Sequence, residues 1–116
     1  MNLELETSVY KDIPVIKILG DVDHYTRPWF EFTVNETLGT EGTRIALDLL
    51  DCPFMDSAGV SILLGLIRRV NPGGLLAIIG ADRNVLRVLD VVGITQWANV
   101  YMLSSLDELD GCLAVP

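Results

Sequence analysis

Two short runs of this chain, Arg44-Ile45-Ala46-Leu47-Asp48-Leu49-Leu50 and Leu75-Leu76-Ala77-Ile78-Ile79-Gly80, are apolar almost throughout and too short to be helices. Runs of this length, rich in branched side chains, read as strands buried on both faces, which in practice means parallel strands covered by crossover connections. Residues 57–70, between the two runs, carry apolar side chains at helical spacing, and Asn71-Pro72-Gly73-Gly74 stops that helix with strong breakers. A strand, a helix and a second parallel strand are therefore the unit around which everything else must be arranged.

The flanking segments extend that unit. Leu3, Leu5, Thr7 and Val9 alternate with Glu4, Glu6 and Ser8, the period-two mark of a strand with one wet face, and we place it at an edge. Lys11-Asp12 makes a turn into a second strand, Pro14 to Gly20, paired to the first as a hairpin. A first helix runs from an N-cap at Thr26 to Gly39, with Phe30, Val34 and Leu38 in register and Pro28 in its tolerant first turn. Beyond Gly80 a third helix covers Arg83 to Val92 with Gly93 as its C′ residue, a weaker strand covers Asn99 to Leu103, and Ser105-Leu106-Asp107-Glu108 has capping-box spacing for a last helix. The expected order is β-β-α-β-α-β-α-β-α. It describes an α/β domain spanning residues 1–116, with four helices and a mixed, mostly parallel sheet of about five strands.

In such a sheet the loops after the C-terminal ends of the strands gather at one edge and carry the site. Two stand out, Gly20-Asp21-Val22-Asp23-His24 and Asp51 to Ser57. The balance of 16 acids against 8 Lys and Arg gives a formal charge of −8, which repels nucleic acid phosphates and anionic lipid heads. No basic leader or apolar run of membrane-spanning length is present, so a cytoplasmic protein is expected, without nucleic acid or membrane insertion. Cys52 and Cys112 form no CxxC pair and have only His24 for company, so reduced, mostly buried thiols are expected and no cofactor.

The sharpest local question is posed by Asp56-Ser57. Either residue can cap the second helix, a role worth about 0.5–2 kcal/mol, and only one is needed. With Asp56 as the cap, Ser57 becomes the first helical residue with its hydroxyl free at the loop edge. A phosphate there would add about −1.5 to −2 charge. The helix N-terminus would favour it by roughly 0.3–1 kcal/mol. The Asp56 carboxylate would oppose it by about 1–2 kcal/mol in water-like dielectric, so the fold should survive modification. On the helix itself Val60, Leu63, Leu64, Ile67 and Val70 share the side expected to pack on the sheet. The opposite side holds Ala58, Ser61, Ile62, Gly65 and Arg69, a flat strip that a partner could approach closely. The plainer alternative is that Gly65 packs against a neighbouring element and that the first or third helix covers Ile62.

Three motifs, in order, then resemble those of the STAS domain family, and within it the bacterial anti-sigma factor antagonists. They are Gly20-Asp21-Val22-Asp23-His24, Phe54-Met55-Asp56-Ser57-Ala58-Gly59, and Leu86-Arg87-Val88-Leu89-Asp90-Val91-Val92-Gly93-Ile94. The likeness runs from about residue 3 to 110. It implies a protein, a monomer when free, that binds an anti-sigma factor with serine kinase activity and so releases a sigma factor. It also implies that the kinase phosphorylates Ser57, that this switches binding off, and that a serine phosphatase restores it. Asp21, Asp23, His24, Asp56, Ser57, Ala58, Gly59, Ser61, Ile62, Gly65 and Arg69 are then the expected partner-binding residues. Ala58 stands where a second serine is common in the family, and Trp29-Phe30-Phe32 makes the first helix unusually aromatic.

Other readings compete. Ser57, His24 and an aspartate could form a nucleophilic triad, but the strained G-x-S-x-G elbow is missing and one histidine would fill every base role. Asp21, Asp23 and Asp56 could hold Mg²⁺, against the blander account of solvated loop acids. Within the family, a scaffold subunit of a stress-signalling complex and a soluble partner of a lipid-transport ABC permease are the alternatives to the small antagonist.

Overall fold

The computed structural model describes residues 3–113. Strands β1 (Leu3–Tyr10) and β2 (Ile13–Gly20) form the expected hairpin. Its two turn residues, Lys11 and Asp12, both have positive φ (48° and 69°), as a type I′ turn requires. Then follow α1 (Arg27–Leu38), β3 (Arg44–Asp48), α2 (Ser57–Val70), β4 (Leu75–Ile79), α3 (Arg83–Val91), β5 (Val100–Leu103) and α4 (Leu109–Leu113). Short 3₁₀ turns occupy Ile94–Gln96 and Leu106–Glu108.

The five strands lie in the order β1-β2-β3-β4-β5, with β1 antiparallel to β2 and all later pairs parallel. From β2 onward each crossover steps one strand in the same direction. Because such connections are right-handed, α1, α2 and α3 must all fall on one face. The core confirms this: Phe30, Val34 and Leu38 of α1, Leu63, Leu66 and Ile67 of α2, and Val85 and Leu89 of α3 pack together over Ile16, Ile18, Leu47 and Ile78. The opposite face is covered much more lightly. There Leu109 of α4 packs on Ile13, Val15, Ala46, Ala77 and Ile79.

Two local details depart from expectation. β3 ends at Asp48, two residues early, because the Asp48 carboxylate accepts the Leu50 N–H at 3.0 Å and bends the chain outward. The last helix opens as a 3₁₀ turn within the expected capping box: the Glu108 carboxylate accepts the Ser105 N–H at 3.2 Å, and the Ser105 hydroxyl also donates to Asp107. Both cysteines are free, Cys52 buried and Cys112 half-buried. Among the described residues no helix is long and apolar enough to cross a membrane.

Candidate functional site

The loops after β2 and β3 meet at the C-terminal edge of the sheet and are stitched together by backbone bonds. Gly20 N–H donates to Asp51 O, Val22 N–H to Phe54 O, and Asp56 N–H to Val22 O, each at 3.0 Å. Val22 and Met55 thereby form an isolated parallel bridge, a short continuation of the β2–β3 pairing beyond the strands. Both side chains are buried, so the seam rests on core.

Asp56 does the capping. Its Oδ1 accepts the N–H of Ala58 at 2.8 Å and of Gly59 at 3.4 Å, while Oδ2 accepts the backbone N–H of His24 at 3.1 Å. One carboxylate thus holds the start of α2 and the tip of the other loop. Ser57 is left at the first helical position, exposed. Since His24 meets Asp56 through its backbone, that bond does not orient the imidazole, which lies edge-on to Tyr25 with ring centroids 5.5 Å apart.

The structure gives Asp23 a role within its own loop. Its Oδ1 accepts the N–H groups of Tyr25 and Thr26, both at 2.9 Å, and the Thr26 hydroxyl at 3.2 Å. Thr26 was expected as the N-cap of α1, but it has helical backbone angles and makes no side-chain cap bond. Its hydroxyl instead donates to the carbonyl of Asp21 at 2.9 Å and accepts the N–H of Asp23. Asp23 therefore shapes its own loop. The bonds from Thr26, chiefly its N–H, hold the Asp23 carboxyl below the usual carboxylate range. A depressed folded-state pKa contributes stability that is present above the unfolded value and lost as pH falls through the folded one. Asp23→Asn should therefore lower the urea midpoint at neutral pH, with a deficit that shrinks below about pH 4; a deficit independent of pH would contradict this role.

Three of the residues expected at the partner surface of α2 are held by neighbouring elements. Gly59 is buried, and a Cβ there would lie 2.7 Å from both Met55 Cγ and Val22 Cγ1, so the close approach of helix and seam requires a glycine here. Ile62 is only 7% exposed, because α1 lies beside α2 and covers it. Arg69 is tied down: its Nε donates to Gly42 O at 2.9 Å and its guanidinium also reaches Gly39 O, so it satisfies carbonyls after α1. Leu64, expected against the sheet, is half-buried.

What remains accessible is a narrower line, Ser57, Ser61 and Gly65, at i, i+4 and i+8, with Ala58 half-buried beside it. A Cβ on Gly65 would meet nothing within 4 Å, so packing does not explain this glycine. With Ser61, Ile62, Leu66 and Arg69 it forms the α2 wall of a groove of about 200 Å³, whose α1 wall is Glu31, Val34 and Asn35. The two loops also carry exposed apolar side chains that no sequence periodicity marks. Tyr25 on one loop and Phe54 and Leu50 on the other are 85%, 49% and 66% exposed. Of the acids weighed for a metal, Asp23 and Asp56 spend their carboxylates on backbone N–H groups, and among the described residues no three His, Cys, Asp or Glu side chains gather as a metal site would.

The family profile of the STAS domain matches residues 4–106. The chain belongs to the STAS domain family. This STAS domain is 28% identical over 114 residues to the anti-sigma F factor antagonist of Paenibacillus polymyxa, covering 95% of this chain and 97% of that one. It is 30% identical over 102 residues to the anti-sigma-B factor antagonist of Staphylococcus epidermidis, covering 86% and 94%. Among solved structures, the Bacillus cell fate determinant SpoIIAA in its phosphorylated form superposes with a TM-score of 0.70 at 22% identity, covering 97% of this chain and 99% of that one. The unphosphorylated form gives 0.75 at 21%, with 98% of each chain covered. The five-stranded mixed sheet flanked by four helices is thus the fold of these STAS structures.

Proposed function

We propose that this STAS domain is an anti-sigma factor antagonist controlled by phosphorylation of Ser57. Unphosphorylated, it binds an anti-sigma factor that is also a serine kinase, and a sigma factor is released; the kinase then modifies Ser57, binding is lost, and a serine phosphatase reverses the change. The protein acts in the cytoplasm, as a monomer when free and as a substrate and binding partner rather than an enzyme. The observation that carries this reading is the division of labour at the start of α2. Asp56 supplies both cap bonds, so the Ser57 hydroxyl stands exposed beside an accessible strip with no structural duty to give up. The names borne by the curated relatives support the same partner class.

Incubation with ATP and the serine-kinase anti-sigma factor of its own cell should add one phosphate, mapped to Ser57 by mass spectrometry and absent from Ser57→Ala. Phosphate on another residue, or none, would remove the switch. The open space over Gly65 yields an independent check on the surface. Gly65→Arg should leave thermal stability equal or higher, because any residue better than glycine in a helix interior gains up to about 1 kcal/mol. The same change should weaken binding of the anti-sigma factor at least about tenfold, and an unchanged isotherm would place the partner elsewhere.

A further inference from the structure

The aromatic segment of α1 has no place in the Ser57 site, and it lies beside the open edge of the sheet. Trp29 and Phe32 are 42% and 55% exposed and stack with ring centroids 6.0 Å apart and planes 14° from parallel. Phe32, Thr33 and Glu36 form one wall of a groove of about 550 Å³ whose other wall is Thr7, Val9 and Pro14 of the hairpin. Val9 is 69% exposed. Among the described residues β1 is paired only with β2, so its outer edge offers backbone groups to a further strand.

The two faces of β1 differ in chemistry. Leu3, Leu5, Thr7 and Val9 face the helices, where the first two join the main core and the last two end in the groove. Glu4 and Glu6 alternate with them onto the other face, both exposed. Lys17 stands opposite Glu6 in the hairpin register, but its ammonium lies 3.4 Å from Asp51. No lysine or arginine occurs in β1, and Glu36 adds a further exposed acid at the groove.

We propose that β1 is a docking edge for an extended segment of a partner protein in which apolar residues alternate with lysine or arginine. Added alongside β1, such a segment lays its apolar side chains over Thr7, Val9 and Phe32 and its cations over Glu4 and Glu6, because an added strand alternates faces in step with its neighbour. A second copy of this chain is the poorer occupant, because its own β1 would bring Glu4 and Glu6 and no lysine or arginine to an edge that already carries both acids. The proposal does not depend on the function of Ser57.

The test uses a synthetic peptide of about eight residues, the length of an ordinary strand, alternating valine and lysine, and its counterpart with glutamate for lysine. Amide shifts of the full chain should move on titration with the lysine peptide along residues 3–10 and 29–37. The glutamate peptide should leave them unchanged. Phe32→Ser should weaken the lysine peptide about tenfold, and Glu4→Lys with Glu6→Lys should reverse the preference between peptides; Ser57→Asp should bind as the wild type does. Equal response to both peptides, shifts confined to other surfaces, loss of peptide binding in Ser57→Asp, or a wild-type dimer that Phe32→Ser dissociates would each overturn the proposal.

Discussion

Ser57→Asp should lower affinity for the anti-sigma factor by about a hundredfold or more while leaving the melting temperature within a degree or two of the wild type. The two halves of this expectation have separate causes. Within the free domain the new carboxylate sits on an exposed first-turn position, where attraction to the helix N-terminus, about 0.3–1 kcal/mol, works against repulsion from Asp56. Neither term threatens a domain of this size. In the complex the same charge would be enclosed by the partner. Removing an ion from water without a matching cation costs several kcal/mol, and 2.7 kcal/mol already corresponds to about a hundredfold. Calorimetric titration against the anti-sigma factor, with circular dichroism on the same samples, checks both halves. Undiminished affinity in a folded Ser57→Asp protein would sink the phosphorylation switch, and a collapsed fold would show that Ser57 is structural.

Phe30→Ala should be the most damaging single truncation on α1, costing about 3–5 kcal/mol of folding free energy. The ring is fully buried among residues of β2 and the neighbouring helices, and its removal leaves a cavity that close-packed surroundings fill only in part. A domain of this kind carries about 5–15 kcal/mol in total, so the urea midpoint should fall by a large fraction. A loss under about 1 kcal/mol would mean that the site collapses around the gap. The consequence should reach the functional edge as well, because α1 is the rigid continuation of the loop that carries Asp23 and Tyr25. Loosening it should raise amide exchange at His24, whose N–H is held by Asp56.

Where the sequence carried its own stop signals, the structure follows it closely. Helix α2 occupies 57–70 as expected, since an aspartate cap precedes it and Asn71-Pro72 ends it, both local devices. The order of elements along the chain and the hairpin were legible for the same reason. What failed was everything set by a neighbour. A helical wheel sees the sheet side of α2 but has no knowledge of α1, and so it exposed Ile62, which α1 covers, and left Arg69 free although the carbonyls after α1 hold it. Gly59 looked like part of a motif surface, while its real constraint is the backbone seam beneath it, formed by residues 37 positions and 4 positions earlier in the chain, Val22 and Met55. The local role of Asp23 was legible but not drawn out. The spacing Asp23-x-x-Thr26 is itself a signature of a self-capped turn, with side chains bonding to backbone two and three residues away, and it was available in the sequence.

The stitched loops also decide how a partner would be met in time. With Val22 bonded to Phe54 and to Asp56, and with one carboxylate pinning both Ala58 and His24, the surface around Ser57 is finished before any encounter. A partner docking here would leave little ordering to be done on this side, so the encounter would proceed as between rigid bodies. The speed of such an encounter would be governed by the long-range field of a chain with net charge −8, and the lifetime of the complex by the few short-range contacts that a phosphate would disturb. Modification of Ser57 would accordingly act at the point of contact, with no change of shape to be transmitted through the domain.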